Sequence, residues 1–144
     1  MTLIVSAFPG TGKTWFYMNN TEPLKVRDSD SSKFPKADFP ANYIAYIKET
    51  MALEGEQAVD IILVSSHKVV RDALVAEGLP FLLVYPTGGL KDEYISRFVE
   101  RGSSAFFIEL LTLNWDAWIK ELDEQKNCSK YILASGEYIK DVLL

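Results

Sequence analysis

The 144-residue chain has one cysteine, Cys128, and one histidine, His67. A lone cysteine excludes a disulfide framework and a cysteine-rich zinc site. A lone histidine confines any Ser-His-Asp arrangement to its own neighbourhood, where nothing suggests one. Basic charge is scarce as well: 15 Lys and Arg stand against 20 Asp and Glu, a net charge of −5. Broad nucleic-acid surfaces draw their affinity from phosphate neutralisation by Lys and Arg, so this balance argues against one and leaves room only for a local basic cleft. No apolar run approaches the ~18 residues that would span a bilayer. The start, MTLIVSAFPG, lacks the basic segment and long apolar core of a signal peptide. These absences predict a soluble protein of a reducing compartment, the cytoplasm. The hydrophobic fraction, 48%, suits one globular domain with a full core.

What is present starts at SAFPGTGKT, residues 6–14. The pattern G-x-x-x-x-G-K-[ST] falls on residues 7–14, with Gly12, Lys13 and Thr14 in place and Ala7 where the leading glycine usually stands. Such a loop curls so that successive backbone N–H groups face the β- and γ-phosphates of a nucleotide. Gly10 and Gly12 allow that curl because glycine reaches φ > 0 without steric penalty. Ala7 adds only a methyl at a position that must be small. Pro9 has no N–H to offer, so it stiffens the loop at a point where no phosphate is held. The stretch Pro9, Gly10, Thr11, Gly12, Lys13 and Thr14 is therefore the expected site of ATP, with Lys13 on the phosphates and Thr14 on Mg²⁺. A short β-branched run, Leu3-Ile4-Val5, precedes it, and a helix over residues 13–20 follows until Thr21-Glu22-Pro23 stops it. That helix start adds partial positive charge beneath the phosphates.

Further apolar runs at 24–26, 61–64, 81–85 and 131–133 read as strands, the first of them weak. Helical spacing of apolar residues covers 42–53, 67–77 and 91–101, followed by a helix from an Asn114 cap to about Glu124 and a last one over 137–144. In these patterns Trp15, Trp115 and Trp118 read as core residues, and His67 as the start of a helix. Strands alternating with helices predict an α/β fold, a three-layer α/β/α arrangement around a parallel five-stranded sheet. Ligands of such sheets bind beyond the C-terminal strand ends. That rule gathers the loop, Asp28, Ser65, Pro86 and Ser135 around one crevice. The longest irregular segment, DSDSSKFPKADFPA at 28–41, opens onto it, and long loops in compact domains are usually functional or mobile.

One more absence is informative. Nucleotide hydrolases with this loop usually take a Mg²⁺-holding carboxylate from the end of a core strand. Here the strand at 61–64 ends in Ser65-Ser66-His67, and Asp60 lies at its opposite end. The nearest carboxylates at the correct end are Asp28 and Asp30. A carboxylate there can hold Mg²⁺, take the proton of an attacking hydroxyl, or bind an acceptor's sugar; DSDSS is equally a good turn or helix cap.

The order of these parts resembles the P-loop kinases of the nucleoside monophosphate kinase type. The stretches SAFPGTGKT, DSDSSKFP, FPANYIAYIKE, DIILVSSHKVVRDAL, FLLVYP and FIELLTLNWDAWIKEL are also similar to small bacteriophage-encoded nucleotide kinases, often labelled adenylate-kinase-like. The resemblance spans nearly the whole chain, but its one sharp motif is the phosphate loop. It implies a single kinase domain over residues 1–144 that moves the ATP γ-phosphate to a nucleoside monophosphate, deoxynucleotides and modified dNMPs included. It implies a host-cytoplasmic setting if the protein is phage-encoded. The acceptor would lie over residues 28–43, with Arg27, Asp28, Asp30, Ser31, Lys33 and Lys36 as its contacts and Thr14 and Asp28 around the metal. A lid over 87–102, hinged at Gly88-Gly89, would bring Lys91, Arg97 and Arg101 to the transferring phosphate, and Ser135 and Gly136 would lie beside the adenine. Lys13, Asp28, Asp30, Arg97 and Arg101 are then the catalytic candidates. RDSD also resembles the arrangement of polynucleotide 5′-hydroxyl kinases, and the missing core-strand carboxylate suits a non-catalytic nucleotide-binding module. All three readings stay open on the sequence.

Overall fold

The computed structural model describes residues 1–20 and 23–143. The expected helix stop at Thr21-Glu22 and the last residue of the C-terminal helix lie outside them. Strands β1 (Leu3–Ala7), β2 (Val26–Asp28), β3 (Ile61–Ser65), β4 (Leu82–Pro86) and β5 (Ser129–Leu133) form one sheet in the order β2-β3-β1-β4-β5. Every neighbouring pair is parallel. The helices are α1 (Lys13–Asn19), α2 (Ala41–Ala52), α3 (Lys68–Ala76), α4 (Lys91–Glu100), α5 (Ala105–Asp123) and α6 (Ile139–Leu143).

The side-chain period of two sends alternate residues of each strand to opposite faces. Ile4, Ile62, Val64, Leu83 and Tyr85 join one apolar cluster with residues of α2, α3, α4 and α5, including Ile47, Leu74, Tyr94 and Trp115. Val5, Ala7, Ile61, Leu63 and Val84 join a second with Phe16 of α1 and Ile139 of α6. Helices therefore cover both faces, and the inner strand β3, next to the central β1, is buried along its whole length, as an all-parallel sheet requires.

The crossover rule explains which helix lies where. The step from β1 to β2 runs one way across the sheet, while the steps to β3, β4 and β5 run the other. With right-handed connections, α1 must cover one face and α2 to α5 the opposite one. The direction reverses at β1, so a crevice opens at the C-terminal end of that strand.

Three expectations need correction. The second strand is Val26–Asp28, two residues later than expected, because Asp60 Oδ2 accepts the Lys25 N–H at 2.8 Å ahead of the ladder. Helix α5 starts at Ser104, whose hydroxyl accepts the Phe107 N–H at 3.1 Å; Asn114 sits mid-helix and donates to the Leu110 carbonyl at 2.8 Å. Trp15 is 53% exposed with Lys140 over its ring, and Phe16 takes the core position on α1.

Candidate functional site

Between the ends of β1, β2 and β3 lies a cavity of about 220 Å³ lined by Ala7, Pro9, Lys13, Thr14, residues 28–31 and residues 65–67. Its floor is the phosphate loop. Gly10 and Gly12 hold φ of 81° and 92°, the left-handed region that glycine favours. At Gly10 an added Cβ would stand 2.9 Å from Phe98 Cζ, so α4 leaves no space for a side chain. Thr11 braces the curl by donating to the Phe8 carbonyl at 2.7 Å.

Lys13 reaches back across the loop and donates to the Ala7 carbonyl at 3.0 Å. Burial pushes its ammonium below the usual lysine pKa; Asp28 and Asp30 oppose that shift, and Arg101 adds to it. Thr14 donates to Asp28 Oδ2 at 3.3 Å. The strand period explains why these two meet: Val26 packs against the α1-side cluster, so Asp28, two residues on, faces α1 as well. A hydroxyl and a carboxylate at the cavity mouth are hard oxygen donors of the kind Mg²⁺ accepts alongside phosphates and water. Among the described residues there is no group of three or more His, Cys, Asp or Glu side chains that could hold a metal unaided.

Asp30 also lines the cavity, but its Oδ1 is spent on the Ser32 N–H and hydroxyl at 2.9 and 2.7 Å. The hydroxyl and amide of Ser32 hold its carboxyl below the ordinary aspartate pKa. Asp30 is thus the cap of the short turn at Ser31–Lys33 as well as a negative charge facing Lys13. At the position where a core-strand carboxylate is usual, Ser65 stands instead. Its carbonyl accepts the Ser6 hydroxyl at 2.9 Å and its own hydroxyl accepts the His67 N–H at 3.1 Å. Burial, then Lys13 and Arg71, push the His67 imidazole below its usual pKa.

The fully buried Tyr43 on α2 fixes two walls at once. Its hydroxyl donates to the Ser29 carbonyl at 2.7 Å and accepts the Ser65 N–H at 3.2 Å. Burial raises this phenol's pKa to about 12, so it stays protonated and keeps donating. The sequence pattern placed Tyr43 on a core helix face and carried no signal for the hydroxyl's partners. Tyr43→Phe is expected to cost about 1–3 kcal/mol by leaving the Ser65 N–H and the Ser29 carbonyl unpaired. A chemical-denaturation curve checks this; an unchanged midpoint would show the two walls holding themselves.

Several expected acceptor contacts are elsewhere. Arg27 points to the other side of β2, donating to the Thr50 hydroxyl at 3.1 Å and the Tyr46 hydroxyl at 3.4 Å, because strand alternation opposes it to Asp28. Lys33 and Lys36 are exposed and do not line the cavity. Ser31 does line it.

The expected lid is docked. Tyr94 and Phe98 of α4 are buried in the main cluster, and the Gly88 carbonyl accepts Trp115 Nε1–H at 2.9 Å, which fastens the expected hinge. Arg97 donates to the Gly10 carbonyl at 2.8 Å and to Glu93 at 2.9 Å. Its guanidinium lies 4.3 Å from the Tyr94 ring centre and 4.0 Å from that of Tyr138. Arg97 therefore clamps the loop. Arg101, one turn on, stacks on Phe98, and both arginines line a second cavity of about 340 Å³ with Gly10, Gly12, Glu100 and Tyr138. Ser135 and the Gly136 N–H both donate to Glu93, which holds that carboxyl below its usual pKa, and Arg97 adds to the effect. The Ile139 N–H completes the link with a 2.9 Å bond to the Thr11 carbonyl. Glu93 and Tyr138 were not legible in the sequence as parts of this assembly.

Arg97→Ala is accordingly expected to lower the melting temperature by several degrees, whereas Arg101→Ala leaves it within about 2 °C, since surface changes seldom exceed ±0.5 kcal/mol. Differential scanning calorimetry of the two variants separates clamp from free cation; equal melting temperatures would contradict the assignment.

Compared with known proteins, the chain matches no family model, no curated protein and no solved structure. A functional reading rests on this geometry.

Proposed function

We propose that the chain is an ATP-dependent phosphotransferase acting on a nucleotide acceptor. The observation that carries this reading is the convergence of Lys13, Thr14 and Asp28 on one cavity at the reversal point of the sheet. The loop and Lys13 hold the β- and γ-phosphates, and the adenosine extends over Gly12 towards Tyr138 and the Ser135-Gly136 turn. Thr14 and Asp28 would hold Mg²⁺, which would supply positive charge to offset that of the transferring phosphate. Where the acceptor is a hydroxyl, Asp28 accepts its proton as the oxygen bonds to the γ-phosphorus; the oxygen of a dianionic phosphate carries no proton and attacks directly. The bond from phosphorus to the bridging oxygen breaks, and ADP leaves with its electron pair. Arg101 approaches the same phosphates from the far side of the loop.

A nucleoside monophosphate is the acceptor implied by the resemblance. The charge around the cavity favours a second one, a hydroxyl of a nucleoside or polynucleotide end. Asp28 and Asp30 line the space with four serines, Arg27 is turned away and Lys33 and Lys36 lie outside. A dianionic phosphate would meet two carboxylates with little cationic compensation, while a neutral hydroxyl needs only the base. Coupled assay of ATP consumption against NMPs, dNMPs, modified dNMPs and 5′-hydroxyl oligonucleotides decides between the acceptors. ATP-analogue binding without turnover on any of them would leave a non-catalytic nucleotide-binding module.

A further inference from the structure

A cavity of about 540 Å³, larger than the phosphate site, lies next to it on the α3–α5 side. Pro9, Ser66 and His67 line both spaces, so the two adjoin along these residues. Its far wall is apolar and aromatic: Phe107, Leu110 and Trp118 of α5, with Phe8 behind the loop. The size falls in the ~300–1,000 Å³ range of small-molecule sites, which pair apolar walls with a few polar groups. Here the polar groups are firmly set. Arg71, 2% exposed, donates to the Ser66 carbonyl at 2.7 Å, to Glu121 on α5 and to Gln125 just beyond that helix, which fixes the β3–α3 turn against the aromatic wall.

On the opposite side of the phosphate site the aromatic side chains pack on one another. Phe34 packs edge-on against Tyr43 and Tyr46, with ring centres 4.9 and 5.6 Å apart, and Phe39 lies 5.6 Å from Tyr43. The aromatic residues of the 28–43 segment are thus spent on one another.

Resting on the phosphotransferase reading, we propose that the acceptor's planar base binds in the α3–α5 cavity against Trp118 and Phe107, while its reacting oxygen passes His67 to reach Asp28. The two spaces adjoin at Pro9, Ser66 and His67, so one molecule lying across that border would reach both. The aromatic wall suits a base of any identity, since every base has a face to stack. Specificity for the acceptor is then set on α5, not on the segment after β2.

The test uses Leu110→Trp, which fills the cavity from a position 38% exposed, and Trp118→Ala, which removes the stacking surface. Each is assayed with the best acceptor of the panel above and with a base-free counterpart, either ribose 5-phosphate or an oligonucleotide ending in an abasic 5′ residue. Titration calorimetry with a non-hydrolysable ATP analogue and Mg²⁺ checks that the phosphate site is intact. The expected result is a fall of about tenfold or more in kcat/KM for the base-bearing acceptor, within the range that base–aromatic stacking supplies. The base-free acceptor and the ATP analogue should be unaffected. Should Trp118→Ala fail to fold, Leu110→Trp gives the same reading from a surface position. Unchanged preference for the base-bearing acceptor with analogue binding retained overturns the proposal, as does a change confined to oligomeric state, which would mark the cavity as an interface between copies. If the wild-type protein bound no ATP analogue, the phosphotransferase reading would fail first and this inference with it.

Discussion

Lys13→Ala is expected to reduce phosphoryl transfer by at least 10²–10³-fold while the protein keeps its fold. Among the described residues that line the phosphate cavity, Lys13 carries the only ammonium or guanidinium group. The nearest arginines lie outside that lining: Arg97 donates to Gly10 and Glu93, and both Arg97 and Arg101 line the neighbouring space. Its desolvated surroundings, visible in the lowered pKa, make its attraction for phosphate stronger than it would be in water. The fold loses one bond to the Ala7 carbonyl, about 0.5–1.5 kcal/mol at most. Thermal melting and turnover, measured on one preparation, check both halves. Wild-type turnover in the variant would remove the phosphate-loop assignment.

Asp28→Asn should have the second-largest effect. The amide keeps the shape of the carboxylate and still has an oxygen to accept the Thr14 hydroxyl, now 3.3 Å away. It cannot take a proton or hold a cation with equal strength. Loss of a general base costs about 10²–10⁴-fold in rate, and that fall should appear in kcat with ATP-analogue affinity retained. Asp30→Asn is expected to be milder, because that carboxylate already serves the Ser32 turn; its effect should fall on the order of the 28–33 segment and on acceptor KM. Steady-state kinetics of the pair separates them. Equal effects would mean that the two carboxylates share the role.

The parts of this assembly that were legible in the sequence are those set by local chemistry. The succession of strands and helices along the chain, the loop with its two positive-φ glycines, and the delivery of Asp28 to the end of β2 all follow from periodicity, from glycine's freedom and from the strand period of two. What escaped was set by packing between distant segments. Nothing near Arg97 in sequence announces Gly10 as its partner, 87 positions away. Gly88-Gly89 looked free to hinge, yet Trp115 fastens it through a single indole N–H. Arg27 was grouped with Asp28 by proximity, although adjacent strand residues must face opposite sides. Ser103-Ser104 before an apolar run is a usable helix-start signal, which the expectation of a cap at Asn114 passed over.

The central claim is that Asp28, Thr14 and Lys13 together pass a phosphoryl group from ATP to a nucleotide acceptor. Transfer of label from [γ-³²P]ATP to the mononucleotide and 5′-hydroxyl panel, by the wild-type protein and by Asp28→Asn in the presence of Mg²⁺, tests it most directly. The account predicts label on one acceptor class with the wild-type protein and a loss of about 10²-fold or more with the variant. Equal labelling by both proteins, or a wild-type protein that binds ATP and labels no acceptor, would contradict it.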